Sequence, residues 1–334
     1  MITVAINGFG RIGRHALKVA FERDDMEIVA INDLTDNRSL AHLLKYDTAY
    51  PDFPHKVTFD DEHIIVDGKK IRSFSEKDPS ALPWGELKVD VVLECTGIFR
   101  DKEKASLHLK AGAKKVIISA PSKGGEIKGF VRGVNCGSYN GEEIIDSASC
   151  TTNCTAPIVA LMEKNFGIEK AMLTTIHSYT ADQNLQDGPH KDLRRARAAA
   201  QNMVPTETGA ASATTKIIPS LEGRFDGLAV RVPTLTVSLT DFTFLLKRDV
   251  SIADVNAMLT DASKEDHWKG IFAVTNEPLV SSDFIGDAHS SIADLSLTNV
   301  VGGNLVKVIA WYDNEWGYAN RLVEMVGIVG GNLK

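Results

Sequence analysis

The sequence predicts an α/β chain in two parts: a Rossmann-type doubly wound parallel sheet, then an α+β domain built on a mostly antiparallel sheet. Three observations lead there. Up to about residue 150, short Val/Ile-rich runs alternate with helix-like segments, the pattern of strands buried on both faces and joined by right-handed crossovers. Beyond that point the apolar segments lengthen and alternate with polar residues, as strands with one solvent-facing side do. At 334 residues, the chain also exceeds one ordinary domain. The expected boundaries are 1–149 for the first domain and 150–314 for the second, with a tail helix over 315–334 packing back on the first.

The elements follow in order. "ITVAI" (2–6) reads as a strand, "RIGRHALKVAFER" (11–23) as an amphipathic helix, and "MEIVAIND" (26–33) as the second strand. "VDVVLECTG" (89–97), a helix-like "KEKASLHLKAG" (102–112) and "AKKVIISAP" (113–121) continue the alternation. "EIIDSA" (143–148) is a strand feeding the helix "SCTTNCTAPIVALMEKNFG" (149–167), whose opening turns Pro157 makes less regular. "LTTIHSYT" (173–180), "LAVRVPTLTVSLTDFTFLLKRD" (228–249) and "NLVKVIAWYD" (304–313) supply the second sheet, covered on one face by helices near 209–217 and 251–264. "NEWGYANRLVEMVGIVGG" (314–331) closes the chain as a helix. The polar stretch 180–200 has no clear period, and loops of that length in compact domains are usually functional.

Composition narrows the function classes. A net charge of −7 works against nucleic acid as the main partner, because a phosphate backbone rewards a basic surface. No stretch approaches the roughly 18 apolar residues of a membrane span. The amino terminus "MITVAINGFG" runs straight into a strand with no charged leader. Cys95, Cys136, Cys150 and Cys154 are too scattered for a secreted disulfide scaffold. A soluble, cytoplasmic protein is the expectation.

Gly8, Gly10 and Gly13 stand in G-x-G-x-x-G spacing between the first strand and first helix. The first permits a tight turn, the second lets backbone approach a pyrophosphate, and the third allows close helix–strand packing. Alone, the spacing fits an ordinary glycine turn as well. Asp33 closes the second strand 20 residues after Gly13, where a carboxylate binds both ribose hydroxyls and repels a 2′-phosphate. That favours NAD over NADP. Asp33 could equally cap the turn "NDLTDN".

"DSASCTTNCTAP" (146–157) holds the other chemistry. Cys150 and Cys154 share a helix face, but a metal would need further ligands that no second Cys pair or HExxH supplies, so no metal is expected. A disulfide between these positions of a regular helix would be strained. As a lone nucleophile, Cys150 sits at the helix's amino end, where the macrodipole and free amides stabilise a thiolate; Cys154, one turn in, reads as core. His177 lies 27 residues downstream, near the end of a strand that would adjoin the one before the cysteine helix. Spacing alone leaves a catalytic partner and a structural histidine both open.

"INGFGRIGR", "SASCTTNC", "HKDLRRARAAA", "TGAA", "AVRVPT" and "WYDNEWGY" together resemble the phosphorylating glyceraldehyde-3-phosphate dehydrogenase family, in that family's order, from residue 6 to 318. The resemblance implies an NAD-dependent oxidation of glyceraldehyde 3-phosphate with inorganic phosphate, Cys150 as nucleophile and His177 as its base. It implies that Thr180 and Arg231 hold the substrate's own phosphate, with Arg195 close by. Ser149, Thr151, Thr208 and Gly209 would hold the attacking phosphate, again within reach of Arg195. Arg11 and Ile12 would meet the pyrophosphate beside the glycines, and Asp33 the adenosine ribose. Lys77, Thr96 and Ser119 would line the rest of the cleft. Asn314 would bond the nicotinamide carboxamide, and Tyr318 would pack near the ring. The family is homotetrameric, with the loop corresponding to 178–201 reaching across a subunit interface; the bland reading of "HKDLRRAR" (190–197) is a solvated basic loop or a nucleic-acid patch.

Some positions depart from the pattern: "DNEWGY" has tryptophan where other members vary, including photosynthetic-type enzymes and the erythrose relatives. Gly188 stands where many NAD-only members carry a leucine that crowds out a 2′-phosphate, so some NADP use stays open. Three rival readings remain beside the main one: an erythrose-4-phosphate dehydrogenase, which "TGAA" disfavours, a catalytically silent NAD-binding interaction protein, and a semialdehyde or acyl-phosphate reductase.

Overall fold

The computed structural model describes every residue of the chain except Asn332 and Lys334. Its chain divides into two compact units, one of Met1–Phe130, Ser138–Ala148 and Ala319–Lys334, the other of Val131–Gly137 and Ser149–Tyr318.

The first unit is organised by a nine-stranded sheet. Its strands are β1 (Ile2–Asn7), β2 (Met26–Asn32), β3 (Val57–Phe59), β4 (His63–Val66), β5 (Lys69–Phe74), β6 (Val91–Glu94), β7 (Lys115–Ile118), β8 (Lys128–Gly129) and β9 (Ile144–Asp146), in the order β3-β4-β5-β2-β1-β6-β7-β9-β8. From β5 to β8 every neighbouring pair is parallel. The strand order reverses between β1 and β6, so the crevice beyond their carboxyl ends is where such a sheet takes a ligand. Helices α1 (Arg11–Phe21), α2 (Asn37–Lys45) and α3 (Lys102–Lys110) make crossovers. Asp36 and Asp101 cap α2 and α3 by accepting from the amides of Ser39 and Lys104, each at 2.9 Å, contacts worth about 1 kcal/mol apiece. Val4, Ala5 and Ile6 of β1 are fully buried, as a two-sided strand requires. The antiparallel hairpins β3–β4–β5 extend the sheet at one edge.

The second unit holds α4 (Cys150–Phe166), β10 (Ile168–Ser178), β11 (Val204–Glu207), α5 (Ala210–Ile217), β12 (Phe225–Val232), β13 (Ser238–Leu246), α6 (Ile252–Lys264), β14 (Phe272–Thr275), β15 (Ser291–Asp294), β16 (Asn299–Val301), β17 (Leu305–Tyr312) and the start of α7 (Trp316–Gly331). The strands run β11-β12-β10-β13-β17-β15-β14, with β16 beside β17. Pairing is mostly antiparallel, as expected; β10–β12 and β14–β15 are parallel. Burial along β13 alternates strictly, placing Phe242 and Phe244 in a core shared with Ile158, Met162 and Leu259 from the covering helices. Burying such a ring contributes about 1.5–3 kcal/mol. α4 is buried on nearly all sides and runs through Pro157, so packing outweighs the roughly 3 kcal/mol an interior proline costs.

The expected single boundary at 149/150 needs correction. Val131–Gly137 belongs to the second unit. His267 Nε2 bonds the Gly133 carbonyl at 2.6 Å, and a Cβ on Gly133 would lie 2.9 Å from the Trp268 ring. The second unit also keeps residues 315–318, and the tail joins the first unit from Ala319, where Gly330 lies against Ile2.

Candidate active site

The glycine turn opens the crevice of the first unit. Gly8 takes φ +91, and a Cβ there would come within 2.7 Å of the Thr96 amide nitrogen. Nothing stands within 4 Å of a Cβ built on Gly10, so a ligand can lie directly on that backbone. A Cβ on Gly13 would sit 2.2 Å from the Gly8 carbonyl oxygen, which is why α1 can dock so close to β1. The Gly10 N-cap gives α1 no side-chain cap, leaving the first amides of the helix for an anion.

Asp33 caps the turn and stays compatible with a ribose. Its Oδ2 accepts from the Phe9 amide at 2.8 Å and its Oδ1 from Thr35 at 3.0 Å, which fixes the carboxylate while each oxygen keeps a lone pair for a ribose hydroxyl. Arg11 is committed through its guanidinium to Asp47 at 2.6 Å, so what it offers a pyrophosphate is backbone. Ile12 is half-buried in the first turn of α1. Thr96 donates its amide and hydroxyl to Glu94, and Ser119 follows β7, half-buried. Lys77 is exposed on the loop after β5. The bare Gly10 backbone, the open helix end and the fixed carboxylate fit a dinucleotide carrying a free 2′-hydroxyl.

The second unit assembles the thiol. Ser149 caps α4, its Oγ accepting from the Thr152 amide at 3.1 Å. Cys150 opens the helix, half-buried, with Sγ 3.5 Å from His177 Nε2 near the end of β10. His177 Nδ1 lies 2.7 Å from the Ser178 carbonyl. A carbonyl only accepts, so this 2.7 Å contact, the shorter of two at Nδ1, puts the proton there and turns the Nε2 lone pair toward the thiol, although Arg231 Nη1, which only donates, stands 3.2 Å from the same Nδ1. Arg231, the register partner of His177 across the β10–β12 pair, donates from Nη1 to Ser178 O at 3.2 Å and Thr180 Oγ1 at 3.3 Å. Its buried Nε has no partner among the described residues.

The helix end is not the only influence on the thiol. Burial is the largest influence on both groups, pushing the Cys150 thiol above its ordinary value and the His177 imidazole down to about 3. Arg231 pulls the thiol back down, as do the hydroxyl and amide of Thr151, and it further disfavours imidazolium. Burial thus opposes the helix end at the thiol and disfavours charge on both groups. Cys154, buried at 3.6 Å from Ser291 Oγ, is pushed up to about 12 and is core, as expected.

The remaining oxyanion candidates gather in the same unit. Thr151 Oγ1 is 2.9 Å from the Tyr312 hydroxyl. Thr208 Oγ1 accepts from the Ala210 amide at 3.2 Å, and Gly209 is the N-cap of α5 with no side-chain cap of its own. Arg195 donates to Thr206 Oγ1 at 2.9 Å and pairs with Asp182, so an anion arriving there must compete with a carboxylate. In the same basic loop Arg197 pairs with Asp187 at 2.7 Å. Asn314 is buried, its Oδ1 accepting from Ser178 Oγ and Ser238 Oγ, each at 3.0 Å, which leaves its NH₂ end to donate to a ligand. Tyr318 is buried in the first turn of α7.

Comparison with known proteins meets this geometry along the whole chain. Residues 2–102 match the family profile described as "Glyceraldehyde 3-phosphate dehydrogenase, NAD binding domain", and residues 149–314 match its C-terminal domain. The chain belongs to the glyceraldehyde-3-phosphate dehydrogenase family. Relatives bearing that enzyme's name include a Thermotoga maritima protein, 54% identical over 98% of this chain and 99% of its own length. A Mycobacterium avium protein is 52% identical and a Streptomyces coelicolor protein 50% identical, each over 99% of both chains.

Family motifs left several contributors unread. Tyr312 bridges Thr151 and Thr175, its hydroxyl 2.9 Å from each Oγ1, beneath the thiol. Ser178 and Ser238 orient Asn314, and Val237, just before Ser238, is held at φ +68. A β-branched residue there stores about 1–3 kcal/mol of strain. Ala148, two residues before Cys150, takes φ +53. Only the "WYDNE" motif offered a signal for Tyr312; the serines are brought in by strand register. At Gly188 the backbone is not left-handed, and a Cβ would meet Asn184 Nδ2 at 3.2 Å.

Proposed function

We propose that this chain oxidises D-glyceraldehyde 3-phosphate to 1,3-bisphosphoglycerate, using NAD and inorganic phosphate. The observation that carries the reading is the Cys150 Sγ–His177 Nε2 approach of 3.5 Å, with Nδ1 2.7 Å from the Ser178 carbonyl on the far side of the ring. His177 Nε2 takes the thiol proton as Sγ attacks the aldehyde carbon, and returns it to the new oxyanion to give a hemithioacetal. Amides at the start of α4 stabilise that oxyanion, donors of this kind being worth about 3 kcal/mol each. His177 then withdraws the hemithioacetal hydroxyl proton, leaving a thioester on Cys150 once the C–H bond has broken. NAD, when bound, supplies the hydride acceptor for that bond. A phosphate oxygen attacks the thioester carbon, the C–S bond breaks, and the sulfur recovers a proton from His177.

Arg231 and Thr180 hold the substrate's phosphate; the unpartnered Arg231 Nε supports this. Ser149, Thr151, Thr208 and Gly209, with Arg195, hold the attacking phosphate. In the first unit Gly8, Gly10, Gly13, Asp33 and Thr96 hold the cofactor, Asp33 favouring NAD; in the second, the NH₂ of Asn314 is the donor read for a nicotinamide carboxamide. The decisive experiment compares initial rates on glyceraldehyde 3-phosphate and erythrose 4-phosphate, with NAD or NADP, with and without phosphate. Phosphate-dependent NAD reduction on the triose is expected. Faster, phosphate-independent reduction on the tetrose would overturn the reading.

The chain is read as a cytoplasmic homotetramer. Leu185, Leu193 and Met203, 78%, 80% and 76% exposed around the irregular loop, support burial against another copy. Cys95, Cys150 and Cys154 form no disulfide among the described residues, which suits a reducing compartment. No described helix is long and apolar enough to cross a membrane.

A further inference from the structure

The last residues of β1, β2 and β6 are Asn7, Asn32 and Glu94, all buried. Immediately after each comes a piece of the cofactor cleft: Gly8, Asp33 and, two residues past Glu94, Thr96. The three side chains form one hydrogen-bonded layer under the point where the strand order reverses. Glu94 Oε1 accepts from the amide and hydroxyl of Thr96. Its Oε2 accepts from Asn7 Nδ2 at 2.6 Å and His108 Nε2 at 3.0 Å. Asn32 Nδ2 donates to Asn7 Oδ1 at 2.7 Å and to the Glu76 carbonyl at 2.9 Å, while the Glu76 amide donates back to Asn32 Oδ1.

Every donor direction in this layer is fixed from its ends. An indole N–H can only donate, so the Trp84 Nε1 contact to His108 Nδ1, 3.1 Å, makes Nδ1 an acceptor and puts the imidazole proton on Nε2, facing Glu94. Backbone at Glu76 fixes Asn32, and Asn32 fixes Asn7. Four donors therefore converge on one buried carboxylate, an arrangement that only an anion with two acceptor oxygens satisfies. Gly8 tightens the coupling, since there is no space for a Cβ between it and the Thr96 amide.

We propose that Glu94 is the positioning residue of the cofactor cleft: it sets the register of the Gly8 turn, Asp33 and Thr96 against one another, and through Asn32 that of the loop carrying Lys77. The proposal rests on the reading of this cleft as the NAD site. Glu94→Gln keeps the shape but turns an NH₂ toward donors. On one side that group meets the Thr96 amide, which cannot reverse. On the other it meets His108 Nε2–H, which cannot change tautomer without opposing Trp84. A compensating change exists. His108 Nε2 also lies 3.4 Å from Asn7 Nδ2, so in Asn7→Asp/Glu94→Gln the carboxylate moves to position 7 and accepts from Gln, His108 and Asn32, while the glutamine oxygen keeps Thr96.

The test is the Kd for NAD, measured by calorimetry on the full chain, beside Tm. Glu94→Gln is expected to weaken binding about tenfold or more, since it leaves buried donors unpaired at the edge of the cleft. The double exchange is expected to recover binding to within about threefold of wild type. If wild type itself fails to bind NAD, the reading of the cleft falls. If wild type binds and Glu94→Gln binds equally well, or if the double variant folds and stays as weak as the single one, the role of Glu94 falls. Should Glu94→Gln alone not fold, the double variant decides by the same criterion.

Discussion

Cys150 and His177 are paired by backbone geometry and by what burial does to charge. Sulfur at the start of α4 and imidazole near the end of β10 come together because Gly167, at φ +72, turns the chain straight from that helix into that strand. Burial keeps His177 unprotonated down to about 3, so at neutral pH it is available as a base. Cys150→Ser is expected to lower kcat by roughly 10⁴-fold or more, because an alcohol is a far poorer nucleophile than a thiol. His177→Asn is expected to lower it about 10²–10⁴-fold; kcat within threefold of wild type in steady-state assays would remove His177 from the chemistry. Arg231 is the main influence opposing burial at the thiol. Arg231→Met should therefore slow iodoacetamide alkylation of Cys150 at pH 7 as well as raise KM for the phosphorylated aldehyde. Alkylation at the wild-type rate would show that its charge does not reach the sulfur.

At the scale of elements, β1, β2, β6, β7 and β9 with helices α1 and α3 were legible because each has one period and one punctuation mark, whereas α2 (Asn37–Lys45) was not. The glycine pattern even located the crevice, since its spacing has meaning only between β1 and α1. The hairpins β3–β4–β5 were not read, although Asp67-Gly68, both at positive φ, is a two-residue hairpin turn between alternating segments. β14 and β16 were missed for another reason: they are short, the first half-buried and the second mostly exposed, and their identity comes from pairing, not from sequence. Cys150, His177 and Arg231 could be named from motifs. Ser178, Ser238 and Tyr312 could not, because register across β10, β13 and β17 brings them together. Gly13 tests the element argument. Gly13→Ala puts a methyl 2.2 Å from the Gly8 carbonyl, which must push α1 off β1 at a cost on the order of 3 kcal/mol. Urea denaturation should show that loss, with weaker NAD binding by calorimetry; unchanged stability would mean the close approach is not required.

Over the whole molecule, buried titrating groups give stability an acid dependence whose sign can be worked out. His177 in the folded chain is held down to about 3, against about 6.5 when unfolded. Between those values the unfolded chain binds the extra proton, so stability falls as pH falls through that window. His55 acts in the opposite sense. Burial lowers it, but bonds to Asp67 at 2.7 Å and Glu22 at 2.6 Å win, and its folded value is raised. Its contribution is complete below the unfolded value and is lost as pH rises through the folded one. Asp47 and Asp90 are lowered, since their amide and cationic partners outweigh burial, and Glu142 falls to about 2 beside Lys128. These carboxylates add a further loss, but only below about pH 4. From pH 7.5 to 5 the two histidines therefore oppose each other while the carboxylates stay charged. His177→Asn should flatten the decline of Tm over that range or reverse it, the removed contribution being about 2 kcal/mol at pH 5. His55→Asn should steepen the decline. Thermal melts of the three proteins at pH 7.5 and pH 5 decide the matter: if both variants keep the wild-type difference between the two pH values, neither imidazole is held as its surroundings imply.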